Sequence, residues 1–170
     1  MHQRQNDLKI LNLFSLDNRN IQIKEEMFFN NIESVILGHL TSSIFIPDIL
    51  QKGLLAQNKT GNESVGGHNS NADKDYIYLA RSLDTFFSEQ AVKRYGGEEI
   101  LILLDIPLIS LETDPFGGNL ASSERKEIFR VIKETSRNFR VKECISPLNI
   151  LDIQTVKDLK VKKGIGYIFE

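Results

Sequence analysis

The chain has a single cysteine, Cys144, so no disulfide can form within it, and a zinc site built of thiolates is excluded as well. No apolar run approaches the roughly 18 residues that a membrane-crossing helix needs. The opening stretch, Met1 to Asp7, lacks the apolar core of a secretory signal. These absences point to a reducing, cytoplasmic setting with no membrane partner. Histidines number three, and two of them, His2 and His68, lie in polar segments expected to be flexible, so no metal site is expected. Charge of one sign is not in excess overall, since the net is −2. It is uneven, however. Residues 1–120 hold 10 basic and 16 acidic groups, and residues 121–170 hold 11 and 7. A basic C-terminal third suits a surface that meets an anion.

What is present fits one compact domain. A length of 170 residues supports a single core, and 41% hydrophobic with 26% charged residues is ordinary for a globular chain. Residues 1–30 show weak helical patterning, with Leu8, Ile10 and Leu11 on one short face and a second helix from Lys24 to Asn30. Ile32 to Leu40 reads as a strand ending at His39. Pro47 suits the first turn of a helix and Gly53 the position just past its end. Residues 57–75 carry almost no apolar side chain and read as a mobile loop.

Tyr76 to Ala80 reads as a strand. A helix follows to Tyr95, with Ser82 as its cap and Phe86, Phe87 and Ala91 on its buried face, and Gly96-Gly97 stops it. Ile100 to Ile106 is apolar on both faces and so belongs in the middle of a sheet. A further helix runs from a cap at Ser122 or Ser123 to about Thr135, buried through Ile128, Phe129, Val131 and Ile132. On it Arg130, Lys133 and Arg137 recur at intervals of three and four and share a face. Phe139 to Ile145 is a strand that carries Glu143, Asn149 to Ile153 continues extended, and Ile165 to Phe169 closes the chain. The pattern is α+β, a mixed sheet with flanking helices.

Three stretches recur here in a telling order. They are Gly38-His39-Leu40-Thr41 with Gly53-Leu54-Leu55, then Tyr76-Ile77-Tyr78-Leu79-Ala80, then Lys142-Glu143-Cys144-Ile145-Ser146-Pro147-Leu148-Asn149-Ile150. Together they resemble the ADP-ribosyltransferase fold in its His-Tyr-Glu branch, over about residues 35–153. The resemblance implies a split mixed sheet and NAD as substrate, with no metal. It implies that Glu143 meets the charge developing on the ribose, while His39, assisted by Thr41, holds the bent dinucleotide. Tyr78, or Tyr76 if the register differs by two, stacks on nicotinamide. Arg81 is placed to meet phosphate or the acceptor. The plain reading of Glu143 is a surface carboxylate paired with Lys142 or Arg140. Many relatives that modify arginine carry an acidic residue or glutamine two positions before the glutamate. Val141 stands there, which disfavours arginine as acceptor.

The expected activity is mono-ADP-ribosylation of a macromolecule by a small toxin or defence effector, with an antitoxin or inhibitor protein as partner. Nucleic acid comes before protein as acceptor, on the basic face of Arg130, Lys133 and Arg137. The alternatives are an RNA 2′-phosphotransferase, which also uses NAD, and an inactive binding module of the same fold.

Overall fold

The computed structural model describes residues 9–14, 23–62, 73–115, 119–134 and 137–162, with side chains through 159. The architecture is mixed α+β with split sheets. The largest sheet has the order β1-β2-β5-β9, formed by Ile10–Asn12, Ser34–Ser42, Glu99–Pro107 and Ile150–Thr155. A second has the order β4-β7-β6, formed by Tyr76–Leu79, Phe139–Lys142 and Leu111–Thr113. A two-stranded piece pairs β3, Leu54–Leu55, with β8, Cys144–Ile145.

β5 is central because both its faces are apolar. Ile100, Ile102, Leu104 and Ile106 alternate into the main core, and Leu101 enters a smaller one with Phe14, Leu40, Val156 and Leu159. Nine residues of β2 pair antiparallel with nine of β5, from Ser34 opposite Pro107 to Ser42 opposite Glu99. His39 and Thr41 therefore lie inside β2, not at its end, and strand alternation puts them on one face. Gly38, between Leu37 and His39, carries the backbone past Phe14. A Cβ there would sit 2.5 Å from a Phe14 ring atom, so no larger residue fits without a shift. Gly38 also forms an isolated bridge to Ala80, through Gly38 N–H to Ala80 O at 2.9 Å and Ala80 N–H to Gly38 O at 2.7 Å. At this seam the large sheet hands over to the β4 sheet.

Among the described residues six α-helices flank the sheets. α1 is Glu25–Asn31, as patterned, but Ile10 and Leu11 belong to β1, a parallel edge strand on β2, and not to a helix. α2, Ile46–Lys52, opens with Pro47 in its first turn and ends at Gly53, whose φ is +80°. The loop expected at 57–75 begins with a helical turn instead, α3, Gln57–Thr60, which Gly61 closes at φ +70°. Its stretch 63–72, with His68, lies outside the described residues, as do His2 and the strand expected at 165–169. α4, Phe86–Tyr95, is three residues shorter than patterned. Asp84 accepts from the Phe86 N–H, so Asp84 rather than Ser82 marks the start. Because the helix begins at Phe86, its first two rings overhang solvent, and Phe86 and Phe87 are 48% and 41% exposed. Ser88 and Ala91 form its buried face.

α5, Arg125–Lys133, buries Ile128, Val131 and Ile132, while Phe129 is half-buried against Phe28 and Phe29. No side chain caps its start; Ser122 instead accepts from the Glu124 N–H in the turn before it. α6, Val156–Lys162, takes up most of the basic run near the C-terminus. Among the described residues no helix is long and apolar enough to cross a membrane.

Candidate active-site cleft

A cleft of about 760 Å³ opens at the seam between the two sheets, in the size range of ligand sites. His39 and Thr41 line it from β2, and Tyr76 and Tyr78 line it from β4. Strand alternation explains the second pair. Ile77 and Leu79 point into the core, so the two tyrosines share the opposite face. His39 Nδ1 lies 3.1 Å from the Tyr78 carbonyl, which ties the histidine to the tyrosine strand across the seam. A carbonyl only accepts, so Nδ1 carries the proton and neutral His39 offers Nε2 as an acceptor. Burial pushes the His39 pKa below its ordinary value, against a smaller upward pull from the Tyr78 carbonyl. The ring is thus neutral at neutral pH.

The two tyrosines are not equivalent. The Arg140 guanidinium stands 3.6 Å from the Tyr76 ring centroid and occupies one face of it. Among the described residues no cation stands over the Tyr78 ring; its hydroxyl accepts from the Asp73 N–H at 3.0 Å and pairs with Arg140. Tyr78 is therefore the ring better placed to receive a planar ligand.

Glu143 departs from the expected geometry. β7 stops at Lys142, and Glu143 adopts φ +67° before β8 begins. It is thus a link between two sheets and not a residue within a strand. Its backbone is held on both sides: its N–H donates to Asp75 O at 2.8 Å, and its carbonyl accepts from the Ala56 N–H at 2.8 Å. The half-exposed side chain stands beside the cleft, outside its immediate lining. Its partner is Lys59, at 3.9 Å, rather than Lys142 or Arg140, and Lys59 does line the cleft. A left-handed conformation costs an ordinary residue about 1–2 kcal/mol, so it persists only where the surroundings impose it.

Arg81 has another role than the one expected. Its guanidinium donates to the carbonyls of Val131 at 3.0 Å, Ile132 at 2.8 Å and Arg137 at 3.5 Å, and to that of Glu134. It caps the C-terminal end of α5, and it does not line the cleft. This also dissolves the expected acceptor face. The helix ends at Lys133, so Arg137 is no longer on it. Arg137 is 3% exposed and donates through Nε and Nη2 to the Asp114 carbonyl. Arg130 is held between Glu127 and Glu134, and Lys133 reaches the Ile23 carbonyl at 2.9 Å. The three residues do not form one cationic surface.

The residue that sequence patterning passed over is Arg140. It faces Tyr78 and Glu112 across neighbouring strands and lines the cleft. Only the strand register reveals that placement. Asp114 also lines the cleft, and burial pushes its carboxyl up from its ordinary value despite Arg140 and Arg137 nearby. Among the described residues no three His, Cys, Asp or Glu side chains are placed to hold a metal ion. No protein-family model matches the chain, and no curated protein matches it significantly.

Proposed function

We propose that the cleft takes NAD and that the protein is a mono-ADP-ribosyltransferase acting on a macromolecule. The observation that carries this reading is the meeting of His39, Thr41, Tyr76 and Tyr78, from two strands of separate sheets, in one ligand-sized cleft, with Glu143 at its edge. In the reaction the bond between ribose C1′ and the nicotinamide nitrogen breaks. Its electron pair leaves with nicotinamide, and positive charge builds on the ribose. An oxygen or nitrogen of the acceptor then bonds to C1′ and loses its proton to water. Glu143 accepts a hydrogen bond from the ribose 2′-hydroxyl and meets the growing charge, which is electrostatic catalysis. The His39 Nε2 accepts from a ribose hydroxyl, a role that suits a neutral ring. Tyr78 stacks on nicotinamide and keeps the scissile bond in line.

The acceptor is not arginine on this reading, since Val141, two positions before Glu143, is buried in the core. Nucleic acid now rests on the basic C-terminal third alone, because Arg130, Lys133 and Arg137 form no common face. The test is to incubate the protein with NAD and to seek ADP-ribose adducts on RNA, DNA and protein separately, with nicotinamide release followed in parallel. Glu143→Gln keeps a hydrogen-bond acceptor but loses the charge. Loss of such a contact costs about 2.7–4 kcal/mol, a hundred- to thousandfold in kcat with KM little changed. Full activity in Glu143→Gln, or no nicotinamide release with any pool, overturns the proposal.

A further inference from the structure

Arg140 is the buried cation of the cleft, and the chemistry above makes no use of it. It is 7% exposed on β7. Its Nη2 donates to Glu112 Oε1 at 2.7 Å, and its guanidinium carbon stands 3.6 Å from the Tyr76 ring centroid. Burial pulls its pKa down, but Glu112 and Tyr78 more than offset that, so the group stays charged. A guanidinium offers five donors in a fixed fork. Glu112 takes one of them and Tyr78 another, while among the described residues the buried Nε meets no partner. An arginine held against an aromatic ring on the wall of a ligand-sized cleft, with donors left beyond those two bonds, suits recognition of an oxyanion. Lys52 and Lys59 line the same cleft and add positive charge. Two carboxylates also line the cleft, Asp48 and Asp114, and burial pushes the Asp114 carboxyl up from its ordinary value.

We infer that Arg140 is a phosphate-binding residue of this cleft, receiving either the pyrophosphate of a bound dinucleotide or a phosphate of a nucleic-acid acceptor. The inference rests on the proposed function only in naming those two sources. Arg140 lies one strand from Tyr78, about 5 Å, and Tyr78 lies beside His39. A ribose held at His39 therefore leaves its 5′-phosphate within reach of the fork. Glu112 serves as the counter-ion when no phosphate is bound, and the two anions compete for the same donors.

Binding of inorganic pyrophosphate, ADP-ribose, nicotinamide riboside and a short single-stranded oligonucleotide is measured calorimetrically on the wild type, Arg140→Gln and Glu112→Gln. Arg140→Gln weakens pyrophosphate about ten- to a hundredfold and leaves nicotinamide riboside, which has no phosphate, unchanged. Glu112→Gln removes the competitor and tightens pyrophosphate severalfold. Equal weakening of ADP-ribose assigns the site to the dinucleotide. Unchanged ADP-ribose with a weakened oligonucleotide assigns it to the acceptor. Pyrophosphate and oligonucleotide both unaffected by Arg140→Gln overturn the inference. If Arg140→Gln fails to fold, Glu112→Gln decides, and pyrophosphate binding no tighter than wild type overturns it. Arg140-dependent pyrophosphate binding in a protein that releases no nicotinamide from NAD leaves this inference standing and removes the proposed function.

Discussion

Arg81→Met separates a structural arginine from a ligand-binding one. Methionine keeps most of the volume and the apolar stem but removes every donor. The side chain it replaces meets four carbonyls at the end of α5, those of Val131, Ile132, Glu134 and Arg137. Val131 and Ile132 are buried, so water cannot readily replace the lost donors there. Leaving a buried acceptor unmet costs about 1–3 kcal/mol. Two such carbonyls, less what the half-exposed end regains from water, give a loss of about 3 kcal/mol. At this chain length that is a fall in Tm of roughly 6–12 °C. Urea unfolding gives the free energy and calorimetry gives the Tm. Arg81→Lys retains the charge but not the fork, and should recover only part of the loss. Ligand affinity per folded molecule should be unchanged in both variants, because Arg81 does not line the cleft. An unaltered Tm with weakened NAD binding refutes the reasoning and returns Arg81 to the ligand.

Two further outcomes test the cleft. Tyr78→Ala should weaken NAD use more than Tyr78→Phe, because the ring face supplies about 0.5–1.5 kcal/mol while the hydroxyl holds the Asp73 N–H and Arg140; equal loss in both, read from kcat/KM, removes the stacking role. His39 has a folded pKa below its unfolded value of 6.5, so the unfolded chain takes up the proton first as pH falls. Its contribution to stability, and the acceptor at Nε2, should be fully present above pH 6.5 and decline below it as pH approaches the folded pKa. The His39 ring resonances in a pH titration and the Tm over the same range check this, and a Tm that rises on acidification through that window contradicts it.

The elements legible in the sequence were those whose reasons are local. Ile100 to Ile106 declares a central strand by being apolar on both faces. Pro47 and Gly53 bracket α2 through their own backbone restrictions. The composition of Tyr76 to Ala80 was enough to put Tyr78 in a strand, whereas His39, expected at a strand end, lies within one. What escaped depends on distant partners. The end of α5 is set by Arg81, some 50 residues earlier in the chain, and that end decides whether Arg137 lies on a helix or in the core. Arg140 sits on the cleft wall only because β7 pairs with β4 in one register, and a shift of one residue would turn it to the other face. β1 is three residues long and parallel, too short to show a period. The break at Glu143 has neither glycine nor proline to announce it.

That break supplies the last prediction. Glu143 occupies a left-handed conformation that glycine adopts freely and other residues adopt at about 1–2 kcal/mol. The bonds from Asp75 and to Ala56 use only its backbone, so any residue able to take this φ can keep them. The ion pair with Lys59 is long and solvent-exposed, and such pairs contribute at most about 1 kcal/mol. Glycine gives back part of its advantage by loosening the unfolded chain, about 0.5–1 kcal/mol. Glu143→Gly should therefore match or modestly exceed the wild type in urea unfolding, while nicotinamide release is lost. A glutamate that the fold would exchange for glycine without penalty is held there by what its carboxylate does. A clear destabilisation in Glu143→Gly, above about 1 kcal/mol, would instead make the Lys59 pair a structural tie between α3 and the β7–β8 link. The strain would then need another explanation than chemistry.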